Sequence, residues 1–248
     1  MTIRVGVLGA GGRMGTEACR AIEAADDLEL VARIGSSDPL SALADSGAQV
    51  AVDVTRPDAV MDNVRFCVEH DISVVVGTSG LDATALDTIG GLLTERPAVG
   101  VLVAPNFAIG AVLMMRFATQ AARFFESVEI VELHHPDKVD APSGTARRTA
   151  QLVSAARREA GLGDPPDATA EAVAGARGVR VDGVPVHSVR LRGRVASQEV
   201  LLGGAGETLT IRHDSIERAS FMPGVLLGIR EVRNHPGLTV GLEHLLDM

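Results

Sequence analysis

Five short runs rich in β-branched residues, at 3–8, 28–34, 50–55, 73–76 and 99–103, alternate with helix-forming segments over the first hundred residues. Such alternation leaves few architectures open. It predicts a Rossmann-like, doubly wound parallel sheet, whose ligands bind beyond the carboxyl ends of the strands. The first run opens into Gly9-Ala10-Gly11-Gly12-Arg13-Met14-Gly15 and then into 16–25, where apolar residues recur at helical spacing. Glycines at such a junction let the backbone turn tightly and approach a pyrophosphate, which the free amides of a helix start can hold. The spacing is Gly-x-x-Gly-x-x-Gly, and its place between strand and helix raises it above an ordinary turn.

Gly9, Ala10, Gly11, Gly12, Arg13 and Met14 are therefore candidate phosphate contacts. A ribose-binding acid is expected about 20 residues beyond the fingerprint, at the tip of the second run. There the chain reads Arg33-Ile34-Gly35-Ser36-Ser37-Asp38. Gly35 leaves room for a 2′-phosphate with Arg33 as its partner, whereas Asp38 reaching back suits a plain ribose, so NADH and NADPH both stay open. Two loops at later strand ends, Gly77-Thr78-Ser79 and Ala104-Pro105-Asn106-Phe107, are candidates to border the nicotinamide. Their composition is equally that of ordinary turns.

The second half reads differently. A long amphipathic helix is expected over 108–125 with Met114, Met115, Phe117, Phe124 and Phe125 in the core, then a strand at 128–133. After a helix over 146–160 and a surface excursion at 161–182, strands are expected at 186–191, 197–202 and 207–213. This predicts a second α+β domain with an open mixed sheet. A helix from about 220 to 232 and a strand at 238–240 then return to the first sheet. The domains are expected at 1–106 with 217–248, for dinucleotide binding, and at 107–216, for substrate binding and oligomerisation.

Between the 128–133 strand and the next helix lies the densest chemistry. The chain has 23 basic residues, and Lys138 is the only lysine among them. Guanidinium keeps its proton at any accessible pH, whereas an ammonium can give one up. Lys138 stands within Glu132-Leu133-His134-His135-Pro136-Asp137-Lys138-Val139-Asp140-Ala141-Pro142-Ser143-Gly144-Thr145, fourteen positions carrying two imidazoles, an ammonium and three carboxylates. Ser143 or Thr145 can cap the following helix, and its unpaired first amides can hold a carboxylate.

Composition narrows the partners. With a net charge of −9 and no Trp or Tyr, a nucleic-acid partner is not expected. No apolar run approaches a membrane span, and no leader is recognisable, so a cytoplasmic protein is expected. Cys19 and Cys67 fall in helical stretches and are expected as buried thiols rather than metal ligands, and no metal site is expected.

The stretch at 132–146, together with Gly-x-x-Gly-Arg-Met-Gly at 9–15, Gly-Thr-Ser-Gly at 77–80 and Ala-Pro-Asn-Phe at 104–107, resembles the dihydrodipicolinate reductase family, actinobacterial type. Departures are Val54, where the family often has Phe, and Gly35, near where some members carry an acid. The resemblance implies reduction of a cyclic imine dicarboxylate, 4-hydroxy-tetrahydrodipicolinate or its dehydrated form, by NADH or NADPH. By the same resemblance His134 is the acid/base histidine and Lys138 the proton donor. His135, Lys138, Gly144 and Thr145, with Ser143 beside them, hold the substrate. A homotetramer built through the second domain's sheet is implied as well, and domain closure is expected about 106–108 and 216–220. Two other readings compete: another two-domain nicotinamide dehydrogenase of amino-acid metabolism, or a non-catalytic dinucleotide-binding redox sensor.

Overall fold

The computed structural model describes residues 2–78 and 80–246. In chain order the first elements are β1 (Ile3–Leu8), α1 (Arg13–Glu23), β2 (Leu28–Ile34), α2 (Ser41–Asp45), β3 (Val50–Asp53), α3 (Val60–Glu69), β4 (Ser73–Val76), α4 (Ala83–Thr94), β5 (Gly100–Val103) and α5 (Ile109–Ala121). The rest are β6 (Ser127–His134), α6 (Gly144–Glu159), β7 (Val179–Val181), β8 (Val184–Arg190), β9 (Ala196–Gly204), β10 (Glu207–Ser215), α7 (Met222–Glu231) and β11 (Gly237–Val240). Two compact units result, one running to Ile109 and resuming at Arg218, the other Gly110–Glu217. Among the described residues no helix is long and apolar enough to cross a membrane.

The first unit holds a six-stranded sheet in the order β2-β1-β3-β4-β5-β11, with every pairing parallel. Its central strands β3, β4 and β5 are buried at every position, the pattern of strands covered on both faces. α1 covers one face with Gly15, Ala18, Cys19 and Ile22, an i, i+3, i+4, i+7 stripe. Cys19 and Cys67 are both free and buried, and burial pushes the Cys67 thiol up to about 12. β11 pairs with β5, so the expected return strand joins this sheet. The chain crosses from β2 on one side of β1 to β3 on the other, which places the topological switch at the carboxyl ends of β1 and β3.

The second unit has a mixed sheet in the order β10-β9-β6-β8-β7, where β6 runs parallel to β8 and the other pairs are antiparallel. In β6 burial alternates, and Val128, Ile130 and Glu132 are fully buried. Two apolar residues and one carboxylate thus share a face. Val153 and Ala150 of α6 and Ala118 of α5 close that face into a core with Val186 and Val200.

Three expectations need correction. The helix expected over 108–125 ends at Ala121, so Phe124 leaves the helical phase and is 84% exposed. Phe117, 49% exposed, falls beside the buried stripe of Ala111, Met114, Met115 and Ala118. The excursion over 161–182 also contains a strand, β7. It reaches β8 through Asp182-Gly183, both at positive φ (48° and 87°), the conformation a two-residue hairpin turn demands.

Candidate active site

In the first unit the chain leaves β1 at Gly9, whose φ of 81° suits only glycine without strain. The turn hangs on the second strand, because Gly9 and Ala10 donate their N–H groups to the Ile34 carbonyl at 2.8 and 3.2 Å. Gly15 has a steric reason instead: a Cβ there would stand 2.1 Å from the Gly9 carbonyl oxygen. Gly11 has neither reason. A Cβ built on it meets no atom within 4 Å, so the fold does not require this glycine, and a side chain there would project into open space. Gly12 caps α1 without any side-chain hydrogen bond. The first-turn amides, including those of Arg13 and Met14, are then left without a side-chain cap, as anion binding requires. These residues fit the pyrophosphate of a dinucleotide.

At the tip of β2, the Gly35 N–H donates to Asp38 Oδ2 at 2.7 Å. The Asp38 carboxylate is thereby folded back to the strand end. Arg33 is ion-paired with Glu23 of α1, and any contact it makes to a 2′-phosphate competes with that pair.

A fully buried carboxylate, Asp53, organises the next strand ends. It accepts from Thr55 Oγ1 and Thr78 Oγ1 at 2.7 Å each, from the Thr55 N–H at 3.0 Å and from Asn63 Nδ2 at 2.7 Å. The Thr78 hydroxyl is thus engaged inside the protein. The buried Phe107 ring lies where a Cβ on Gly77 would stand 2.4 Å from it, so residues 77–78 and 104–107 pack as one wall. Ala104 donates its N–H to the Val76 carbonyl at 2.9 Å, Pro105 is exposed, and Asn106 Oδ1 accepts the Ala108 N–H at 2.8 Å. Ser79 lies outside the described residues.

In the second unit Glu132 is the hub. Its carboxylate, 0% exposed, meets His134 Nδ1 at 2.5 Å, both guanidinium nitrogens of Arg190 at 2.9 and 3.0 Å and the Ser143 N–H at 3.3 Å. Burial pushes its pKa up, but hydrogen bonds from His134, Arg190 and Ser188 outweigh this and hold it at about 2. An ionised carboxylate only accepts, so this hydrogen bond calls for a proton on His134 Nδ1.

Arg190 extends the network by donating to the Asp140 carbonyl at 2.6 Å. Asp140 Oδ1 in turn accepts from Lys138 Nζ at 2.6 Å. Burial raises the Asp140 carboxyl, yet the Lys138 hydrogen bond brings it below its usual range. His134 and Lys138 are therefore held by one network, its two parts joined through the backbone carbonyl and side chain of Asp140. His135 is half-buried, and its carbonyl accepts the Lys138 N–H at 3.2 Å.

Ser143 caps α6: its side chain accepts the Ala146 N–H at 3.2 Å, so the hydroxyl serves the helix. Gly144 follows, exposed and with no atom within 4 Å of a built Cβ. Thr145 is half-buried in the same turn. The sequence reading named His134, His135, Lys138, Ser143, Gly144 and Thr145 but gave Glu132 and Arg190 no role. Glu132 stood two places before His134 in a strand, a same-face spacing that was readable. Nothing marked Arg190 among so many arginines, because its role depends on β8 lying beside β6.

A parallel sheet with a glycine turn at its switch point, and a separate unit carrying a histidine, a lysine and a helix start capped by Ser143, define a two-unit nicotinamide oxidoreductase. The chain belongs to the dihydrodipicolinate reductase family. Residues 3–107 match the model described as dihydrodipicolinate reductase, N-terminus, and 110–246 the one described as its C-terminus. The chain is 64% identical over 248 residues to the 4-hydroxy-tetrahydrodipicolinate reductase of Nocardia farcinica, covering 100% of both chains. It is 62% identical over 246 residues to that of Cutibacterium acnes, covering 99% of each. Among solved structures it resembles dipicolinate-bound dihydrodipicolinate reductase from Paenisporosarcina sp. TG-14, with a TM-score of 0.87 and 37% identity over 99% of this chain and 100% of that one. Myo-inositol 2-dehydrogenase from Lactobacillus plantarum, at 11% identity and TM-score 0.65 over 99% of this chain and 93% of that one, shares the fold alone.

Proposed function

We propose that this chain reduces 4-hydroxy-tetrahydrodipicolinate, or the dihydrodipicolinate formed by its dehydration, to tetrahydrodipicolinate with NADH or NADPH. The observation that carries this reading is the hydrogen-bonded network that joins His134, Glu132, Arg190, Asp140 and Lys138, beside the Ser143-capped start of α6. In this reading the first unit binds the dinucleotide through Gly9 to Met14, the β2 tip and the loops at 77–79 and 104–107. The second unit binds the dicarboxylate and assembles the oligomer.

The bound nicotinamide supplies a hydride. Everything else falls to the chain. The amides at Gly144 and Thr145 and the imidazole of His135 meet the substrate carboxylates, as a helix start favours anions. Hydride addition to a conjugated imine leaves negative charge that a proton must quench, and an acid working near neutrality is suited to deliver it. That single proton comes from Lys138, and His134, with Nδ1 tied to Glu132, serves as the acid/base group through Nε2. Lys138 neutralises the dianion first and then donates, which a guanidinium cannot do.

A homotetramer formed through the second sheet is part of the same proposal. One face of that sheet packs on α5 and α6, while the other presents Val131, Leu133, Val189 and Leu201, none fully buried in the single chain. Light scattering on the wild type and on Leu201→Asp tests it, the substitution being expected to yield smaller species.

The activity is tested by oxidation of NADH and of NADPH in the presence of pyruvate, aspartate semialdehyde and the upstream synthase. Turnover that depends on all three is expected. Binding of either dinucleotide without any turnover would favour the sensor reading.

A further inference from the structure

Resting on that reaction, we infer that Glu132 and Arg190 are positioning residues, a buried strut that sets the His134 tautomer and ties the lysine-bearing loop to the same strand. Neither side chain need touch substrate. Glu132 is sealed from solvent, and Arg190 has 21% of its side chain exposed.

The geometry separates two jobs. Glu132 Oε2 takes both His134 Nδ1 and Arg190 Nη1, while Oε1 takes Arg190 Nη2 and the Ser143 N–H. One carboxylate thus fixes the imidazole and the residue that caps α6. Imidazole and helix start move as one body. Arg190 then uses a further bond to hold the Asp140 carbonyl, and through Asp140 the ammonium of Lys138. Strand register makes this possible, since His134 stands opposite Arg190, and Glu132 opposite Ser188, across the parallel β6–β8 pair. A carboxylate held by a bidentate guanidinium cannot rotate to present its proton-poor edge elsewhere. The imidazole is therefore offered one acceptor in one direction.

A lysine in place of Arg190 keeps the charge but carries its three donors on one nitrogen, so it cannot lay two parallel bonds along the Glu132 carboxylate while also reaching the Asp140 carbonyl. A glutamine in place of Glu132 can donate as well as accept, so it no longer dictates which imidazole nitrogen carries the proton. These differences give readouts that a purely structural role would not move.

The experiment has two arms. In the first, nitrogen-15 NMR of the intact wild-type chain, with His134 assigned by comparison with His134→Gln, reads the tautomer. A protonated Nδ1 is expected in the neutral ring, with a mixed population in Glu132→Gln. In the second, kinetics are normalised to folded protein. Glu132→Gln is expected to lower kcat at least about tenfold. Arg190→Lys is expected to lower kcat and raise the substrate KM, each by about fivefold or more, with the dinucleotide KM unchanged within about twofold in both variants. Wild-type His134 with an unprotonated Nδ1, or variants that lose thermal stability but keep kcat per folded site, would overturn the inference. The spectrum does not depend on turnover, so an inactive wild type would sink the proposed reaction without touching the tautomer result. Should Glu132→Gln not fold, the wild-type spectrum and Arg190→Lys still decide.

Discussion

Replacing Lys138 by arginine preserves the positive charge beside Asp140 and removes the transferable proton. The expected result is substrate binding within about tenfold of wild type and loss of most of kcat. Steady-state kinetics check it, and normal turnover in Lys138→Arg would reassign the proton donor. The two histidines separate in the same assay. His134→Gln should reduce mainly kcat, because its Nδ1 is anchored on Glu132 and only its far nitrogen is left for exchange. His135→Gln should raise mainly the substrate KM, and the reverse ordering would exchange the roles. At this scale the sequence was informative where a residue type is rare or clustered: a lone lysine three places past a histidine pair is visible in any listing of the chain. Arg190 is one of many arginines, and its importance comes from a contact 58 positions away along the chain. No local pattern encodes a partner at that separation.

Elements impose their own demands on the glycine turn. Gly15→Ala places a methyl group 2.1 Å from the Gly9 carbonyl oxygen and 2.7 Å from the Ala10 Cα, both backbone atoms that cannot swing aside. A loss of about 1–3 kcal/mol is expected in denaturant unfolding, the usual cost of overpacking. Gly11→Ala meets nothing, so stability should stay within about 0.5 kcal/mol while the dinucleotide KM rises about tenfold or more. Equal dinucleotide affinity in Gly11→Ala and wild type would remove the phosphate cradle from this turn. Strand–turn–helix order was legible from periodicity, since a glycine cluster between a β-branched run and a helical stripe has few alternatives. The separate reasons for Gly9, Gly11 and Gly15 were not, because spacing counts glycines without saying which atoms crowd them. The Asp182-Gly183 hairpin shows the converse. Its dipeptide is a strong turn signal, obscured by the polar and glycine-rich stretch before it.

For the whole molecule, acid sensitivity follows from where the carboxylates sit. Glu132 is held at about 2 against a usual 4.5, and Asp214, hydrogen-bonded by Arg212, is held at about 2 against 3.8. A carboxyl whose folded pKa is depressed stabilises the fold fully above its unfolded value and loses that contribution as pH falls toward the folded one. The contribution of these carboxylates to stability should therefore be constant above about pH 5 and decline between about 4.5 and 2, while His213, lowered by burial, adds a loss that begins as pH falls below its usual 6.5. Glu132 supplies on the order of 3 kcal/mol of that decline. Denaturation followed by circular dichroism at pH 7, 4 and 3 checks it, and Glu132→Gln should flatten the slope. A profile as steep in the variant as in wild type would show that other groups govern it. Sequence alone determined the parallel sheet, the glycine turn, the return of 238–240 to the first sheet and the cluster at 132–145, because periodicity and residue chemistry are local and survive without coordinates. Only tertiary structure decided that Glu132 is buried beneath His134 and that Arg190 links it to the Lys138 loop, because those contacts exist only once β6 and β8 lie side by side in register.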